Sequence, residues 1–94
     1  MLTLNMATYA IPERLNALVE VYGLHTTILS WVTVAGRMTH QQVYDNIQSD
    51  DGLDAYVKGH TEQEIKTVMD WMVNQGLLVN ANADQKITYT LQGV

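Results

Sequence analysis

The segment TEQEIKTVMDWMVNQGLLV, residues 61–79, encodes the start, the buried face and the end of one helix, and then the beginning of a strand. Thr61 followed by Glu64 is a capping box, in which each side chain answers the other's unpaired backbone N–H. Ile65, Val68, Met69, Met72 and Val73 then recur at helical spacing and make a single apolar stripe. Gly76 stands just past the stripe, where left-handed backbone ends helices. Leu77-Leu78-Val79 follows as a short apolar run of strand type.

Downstream, Asn80-Ala81-Asn82-Ala83-Asp84 reads as a turn-rich tip. From Lys86 to Gln92, Ile87, Tyr89 and Leu91 alternate onto one face, as a half-buried strand requires. Upstream, Thr39 with Gln42 repeats the capping box, and Val43, Tyr44 and Ile47 supply the apolar face of a short helix reaching about Gln48. Ser49-Asp50-Asp51-Gly52 then signals a turn. The link onward to His60 includes Leu53, Tyr56 and Val57, which pack back or form a helical turn.

Arg37-Met38-Thr39 reads as a short extended link. Before it lie two helical stripes. Pro12 and Glu13 suit a helix start, and Leu15, Leu18, Val19 and Tyr22 follow. Leu24, Ile28, Trp31, Val32 and Ala35 form the second stripe, ended by Gly36. At about 100° per residue the two stripes fall on opposite faces of one continuous helix. Either the chain bends near Gly23, or one long helix is buried on both sides by another layer or a partner chain. The second option makes a homodimer an expectation. Residues 1–11 read as an N-terminal arm and 12–94 as one domain.

Composition narrows the function classes. The chain has 94 residues, enough for one core. It has no Cys, which excludes disulfides, thiolate metal sites and cysteine catalysis. Lack of disulfides in so small a domain, with no apolar run of about 20 residues and no signal-peptide pattern, leads us to expect a cytoplasmic, non-membrane protein. Ten acids against five bases give a net charge of -5, which repels nucleic acid unless the bases cluster.

The order helix, extended link, helix, loop, helix, strand, turn, strand resembles the winged-helix family, a variant of helix-turn-helix proteins. The resemblance spans Thr26 to Leu91. It is carried by AGRMTHQQVYDNI at 35–47, by TEQEIKTVMDWMVNQGLLV at 61–79 and by KITYTLQ at 86–92. The link between the second and third helices is longer than the family's tight turn. The expected fold is mainly α with a small β-wing: three core helices, a leading helix and a C-terminal two-stranded hairpin.

The resemblance implies two uses for the third helix. Winged-helix DNA binders lay it in the major groove, which selects Gln63, Lys66 and Thr67, with Lys86 on the wing. A dimeric DNA-binding transcription regulator is therefore one expectation. Winged-helix domains also dock proteins, and fold alone does not decide between the two. Phosphate contacts need several Lys or Arg, whereas this helix carries Glu62, Glu64 and Asp70 against Lys66 alone. The favoured expectation is a non-enzymatic regulatory or adaptor module that contacts a protein partner through Gln63, Lys66, Thr67, Asp70, Trp71 and Asn74. One form of it is an acidic, phage-type inhibitor that covers the basic surface of a nucleic-acid-binding complex. Trp71 has two readings: an interface anchor, or a core residue packed against the wing or the loop from Leu53 to Val57. His25, His40 and His60 form no metal-ligand spacing, and Glu62 and Glu64 near His60 suit a helix start. Asp50, Asp51 and Asp54 read as a solvated loop rather than an acid–base pair. No phosphate-binding glycine loop is present, so no cofactor and no catalytic residues are expected.

Overall fold

A computed structural model describes residues 11–83 and 86–91. A 3-10 turn at Glu13–Leu15 leads into α1 (Asn16–Glu20), followed by α2 (Leu24–Ala35), α3 (His40–Ser49), α4 (Ala55–Lys58) and α5 (Glu62–Asn74). An antiparallel hairpin of β1 (Leu78–Ala83) and β2 (Lys86–Leu91) closes the chain. The molecule is thus mainly helical with a small two-stranded sheet. Residues 1–10 of the expected arm, Tyr9 included, lie outside the described residues. Ile11, assigned to that arm, is buried in the core instead.

The two stripes out of phase are resolved by a bend. The segments Glu13–Glu20 and Leu24–Ala35 meet at 65°. Gly23 makes the corner with φ 61°, and its N–H donates to the Val19 carbonyl at 3.2 Å. A side chain there would be strained by the left-handed backbone. With the bend in place, Leu15, Leu18 and Val19 join Leu24, Ile28 and Val32 in one core. A long helix buried on two sides is therefore not what forms, and the phase break is no longer an argument for a dimer. Tyr22 and Ala35, placed in the stripes by spacing, are exposed because each sits at a helix end where the chain turns away.

Both capping boxes are made. Thr39 Oγ1 accepts from the Gln42 N–H at 3.1 Å, and Gln42 Oε1 accepts from the Thr39 N–H at 2.9 Å. Thr61 and Glu64 repeat these exchanges at 3.1 and 2.9 Å. At its far end α5 closes with two reciprocal turns: the Leu77 N–H donates to Met72 O at 2.9 Å and the Gly76 N–H to Val73 O at 3.0 Å. That arrangement needs the φ of 80° at Gly76 and redirects the chain into β1.

The hairpin runs farther than its sequence suggests. Asn80 to Ala83 extend β1, paired in register with Tyr89 to Lys86; residues 84–85 lie outside the described residues. On its other side β2 is bridged by the link before α3. Met38 N donates to Tyr89 O at 3.0 Å and Tyr89 N to Met38 O at 2.8 Å. Both main-chain groups of Tyr89 therefore face Met38, and Tyr89 opposes Asn80 as a non-hydrogen-bonded pair. β2 lies between Met38 and β1, which leaves the Asn-bearing β1 as an edge strand.

The link after α3 holds the short helix α4. Asp54 caps it by accepting from the Tyr56 N–H at 2.8 Å. Val57 enters the core, and Leu53 packs partly against it. Among the described residues, no single helix is long and apolar enough to cross a membrane.

Candidate interaction site

α5 is packed between α3, β1 and α2, which fixes the part of it that can meet a partner. Ile65, Val68, Met69, Met72 and Trp71 are fully buried. Trp71 thus takes the core alternative and leaves the expected partner surface. It sits beside the main stripe in projection, but α2 covers that side, and His25 of α2 meets the indole edge-on with centroids 6.2 Å apart. Gln63 and Asn74 are exposed, whereas Lys66, Thr67 and Asp70 are half-buried.

Several of these side chains are already engaged. Lys66 Nζ donates to Asp70 Oδ2 at 2.7 Å, a pair one helical turn apart. The other oxygen, Asp70 Oδ1, accepts from the Tyr89 hydroxyl at 2.6 Å. Thr67 Oγ1 donates back to the Gln63 carbonyl at 3.0 Å. Burial above all, then the Asp70 carboxylate, pushes the Tyr89 phenol well above its ordinary range, so it stays a neutral donor. Lys86 opens β2, but its side chain lies outside the described part of the structure.

The acids at the start of α5 are held too. Glu64 closes the capping box and meets Arg14 of the 3-10 turn at 3.6 Å. The backbone N–H of Thr61 is the main cause that holds the Glu64 carboxyl below its usual value. Glu62 Oε2 lies 3.2 Å from His40 Nε2 and ties the start of α5 to the start of α3. The other ring nitrogen of His40, and Nδ1 of His25, are buried without hydrogen-bond partners. Of the remaining bases, Lys58 donates to the Asp50 carbonyl at 2.9 Å and Arg37 is exposed just after α2. Among the described residues, no three His, Asp or Glu side chains converge as a metal site would require.

A second surface was not marked by any sequence pattern. Tyr22, at the end of α1, stacks on Tyr56 of α4 with ring centroids 5.1 Å apart and planes at 20°. His60 meets Tyr56 edge-on at 5.0 Å and lies 2.9 Å through Nδ1 from the Tyr56 carbonyl oxygen. Tyr22 and Tyr56 keep 39% and 42% of their surface exposed, and Val21 beside them 70%. The stack joins Tyr22 to a turn far along the chain, which no local periodicity announces.

Compared with family models, curated proteins and solved structures, the chain matches none.

Proposed function

We propose that the chain is a winged-helix-like, non-enzymatic module that regulates or adapts by contacting a protein, not by reading DNA. The winged-helix assignment is supported by topology. The extended link at Met38 makes a single antiparallel bridge to Tyr89 of β2, so the segment between the first and second core helices joins the hairpin. In that scheme α2, α3 and α5 are the three core helices, and the segment up to Glu20 is the leading helix.

The observation that carries the functional reading is the state of Lys66. It is the one base on α5, and it is committed to Asp70, which Tyr89 holds in place. A helix presenting a self-neutralised Lys among Glu62, Glu64 and Asp70 offers little to phosphates. Arg14 and Lys58 are likewise engaged within the fold. The net charge of -5 suits a basic protein surface, including one that otherwise binds nucleic acid. Affinity capture with the tagged full chain, with proteins and nucleic acids identified in the same eluate, tests this. A basic protein that persists after nuclease treatment is expected. Enrichment of defined duplex DNA sequences that carries no protein would overturn it.

A further inference from the structure

The turn between α3 and α4 holds a peptide bond with a chemistry of its own. Asp51 is followed by Gly52, and both are exposed to water. The backbone nitrogen after an aspartate can attack its side-chain carboxyl carbon and close a five-membered succinimide ring. Glycine obstructs this attack least, because it brings no Cβ beside the nitrogen. Asp50 and Asp54 each accept a backbone N–H two residues on, whereas the Asp51 carboxylate has no hydrogen-bond partner among the described residues.

The attacking nitrogen is held, however. The Gly52 N–H donates to Asp50 Oδ1 at 2.8 Å. The Leu53 N–H donates to the Asp50 carbonyl at 3.2 Å, which closes a turn with Asp51 and Gly52 at its centre. Lys58 Nζ donates to the same carbonyl at 2.9 Å, and Gln48 Nε2 donates to the Lys58 carbonyl at 2.8 Å. The turn is thereby fixed to the ends of α3 and α4. Attack requires the Gly52 nitrogen to lose its proton and to swing toward Asp51 Cγ. The Asp50 carboxylate opposes the first, because negative charge forming beside it meets like charge. The closed turn opposes the second by fixing the Asp51 backbone dihedrals. Local opening of the turn therefore sets the rate.

We infer that Asp51–Gly52 is a site of spontaneous isoaspartate formation, held in check by the Asp50 carboxylate and the closed turn. The protonated Asp51 carboxyl loses its hydroxyl as the Gly52 nitrogen bonds to Cγ, and that hydroxyl leaves with the amide proton as water. One water then adds back to the ring. Breaking the nitrogen's bond to Cγ restores aspartate. Breaking its bond to the Asp51 main-chain carbonyl carbon leaves isoaspartate, with the chain running through Cβ and Cγ and the old carbonyl freed as a carboxylate. The inference goes beyond the protein-contact reading and does not depend on it.

The test incubates the full chain at near-neutral pH and physiological temperature, folded in buffer and unfolded in guanidinium chloride. Isoaspartate is assayed by enzymatic carboxyl methylation with peptide mapping. It is expected at Asp51, and to accumulate about tenfold faster in the unfolded chain, where the charge-assisted hydrogen bond is gone. Folded Asp50→Ala frees the Gly52 N–H and is expected to approach the unfolded rate. Asp50→Asn keeps an acceptor oxygen and is expected to stay nearer the parent. Thermal melts establish that both variants are folded, and the comparison of folded with unfolded parent stands without them. Equal rates in folded and unfolded parent, a folded Asp50→Ala no faster than the parent, or no isoaspartate at Asp51 in the unfolded chain would overturn the inference.

Discussion

The Tyr89 hydroxyl of β2 reaches across to α5 and donates to Asp70 Oδ1 at 2.6 Å, while Lys66 holds the other carboxylate oxygen at 2.7 Å. One carboxylate thus joins sheet to helix and neutralises the helix's one lysine. Tyr89→Phe removes the donor and leaves a half-buried carboxylate short of a partner. The expected cost is about 1–2 kcal/mol, read as a lower urea midpoint at unchanged slope. Parent-like stability would mean that the bond contributes nothing.

Trp71 has no exposed surface and packs edge-on with His25. Trp71→Ala should cost about 3–5 kcal/mol through the cavity it leaves. For a domain of this size that is a large part of its total stability. A variant that melted like the parent would return Trp71 to the list of surface anchors.

The α5 capping box makes an acid-sensitive contribution. Thr61→Ala should cost about 1 kcal/mol. Because the folded Glu64 carboxyl lies below its ordinary value, its stabilisation is present above the ordinary carboxylate range and is lost as pH falls through the lowered folded value. Urea unfolding of Glu64→Gln beside the parent checks this. The stability gap should be widest near neutral pH and narrow in acid, where Glu64 is protonated in both states.

His25 works in a higher pH window. Burial holds its imidazole below the ordinary 6.5, so the folded state resists protonation more than the unfolded chain does. Stability is complete above the ordinary value and declines as pH drops from there toward the lowered folded value. Stability measured near pH 7 and at about pH 5 should therefore fall less for His25→Leu than for the parent. Identical falls would show that protonation of His25 is not penalised.

Much of this fold could be read from local sequence, because its signals are local. Both capping boxes, the stop at Gly76 and the stripe of α5 each lie within a few turns of chain. The reading failed where long-range packing decides. Asn80 to Ala83 carry turn residues, yet pairing with β2 draws them into a strand. Trp71 projects beside the stripe, yet α2 covers it. Met38 was legible as extended, but its partner Tyr89 lies far along the chain. The candidate site was less legible than the fold. Gln63 and Asn74 are exposed as expected, but the pairing of Lys66 within the fold and the stack of Tyr22 on Tyr56 both depend on contacts that spacing cannot report.

On the proposed function, α5 and its surroundings do not serve as a phosphate-binding surface. Fluorescence anisotropy of labelled duplex DNA, titrated with the full chain at low salt and repeated as salt rises, tests it most directly. No saturable binding is expected at protein concentrations up to about 10⁻⁵ M, within the range where non-specific binders already associate at physiological salt. Saturable binding that is tighter than about 10⁻⁶ M, weakens steeply with salt and is lost in Lys66→Ala would contradict it.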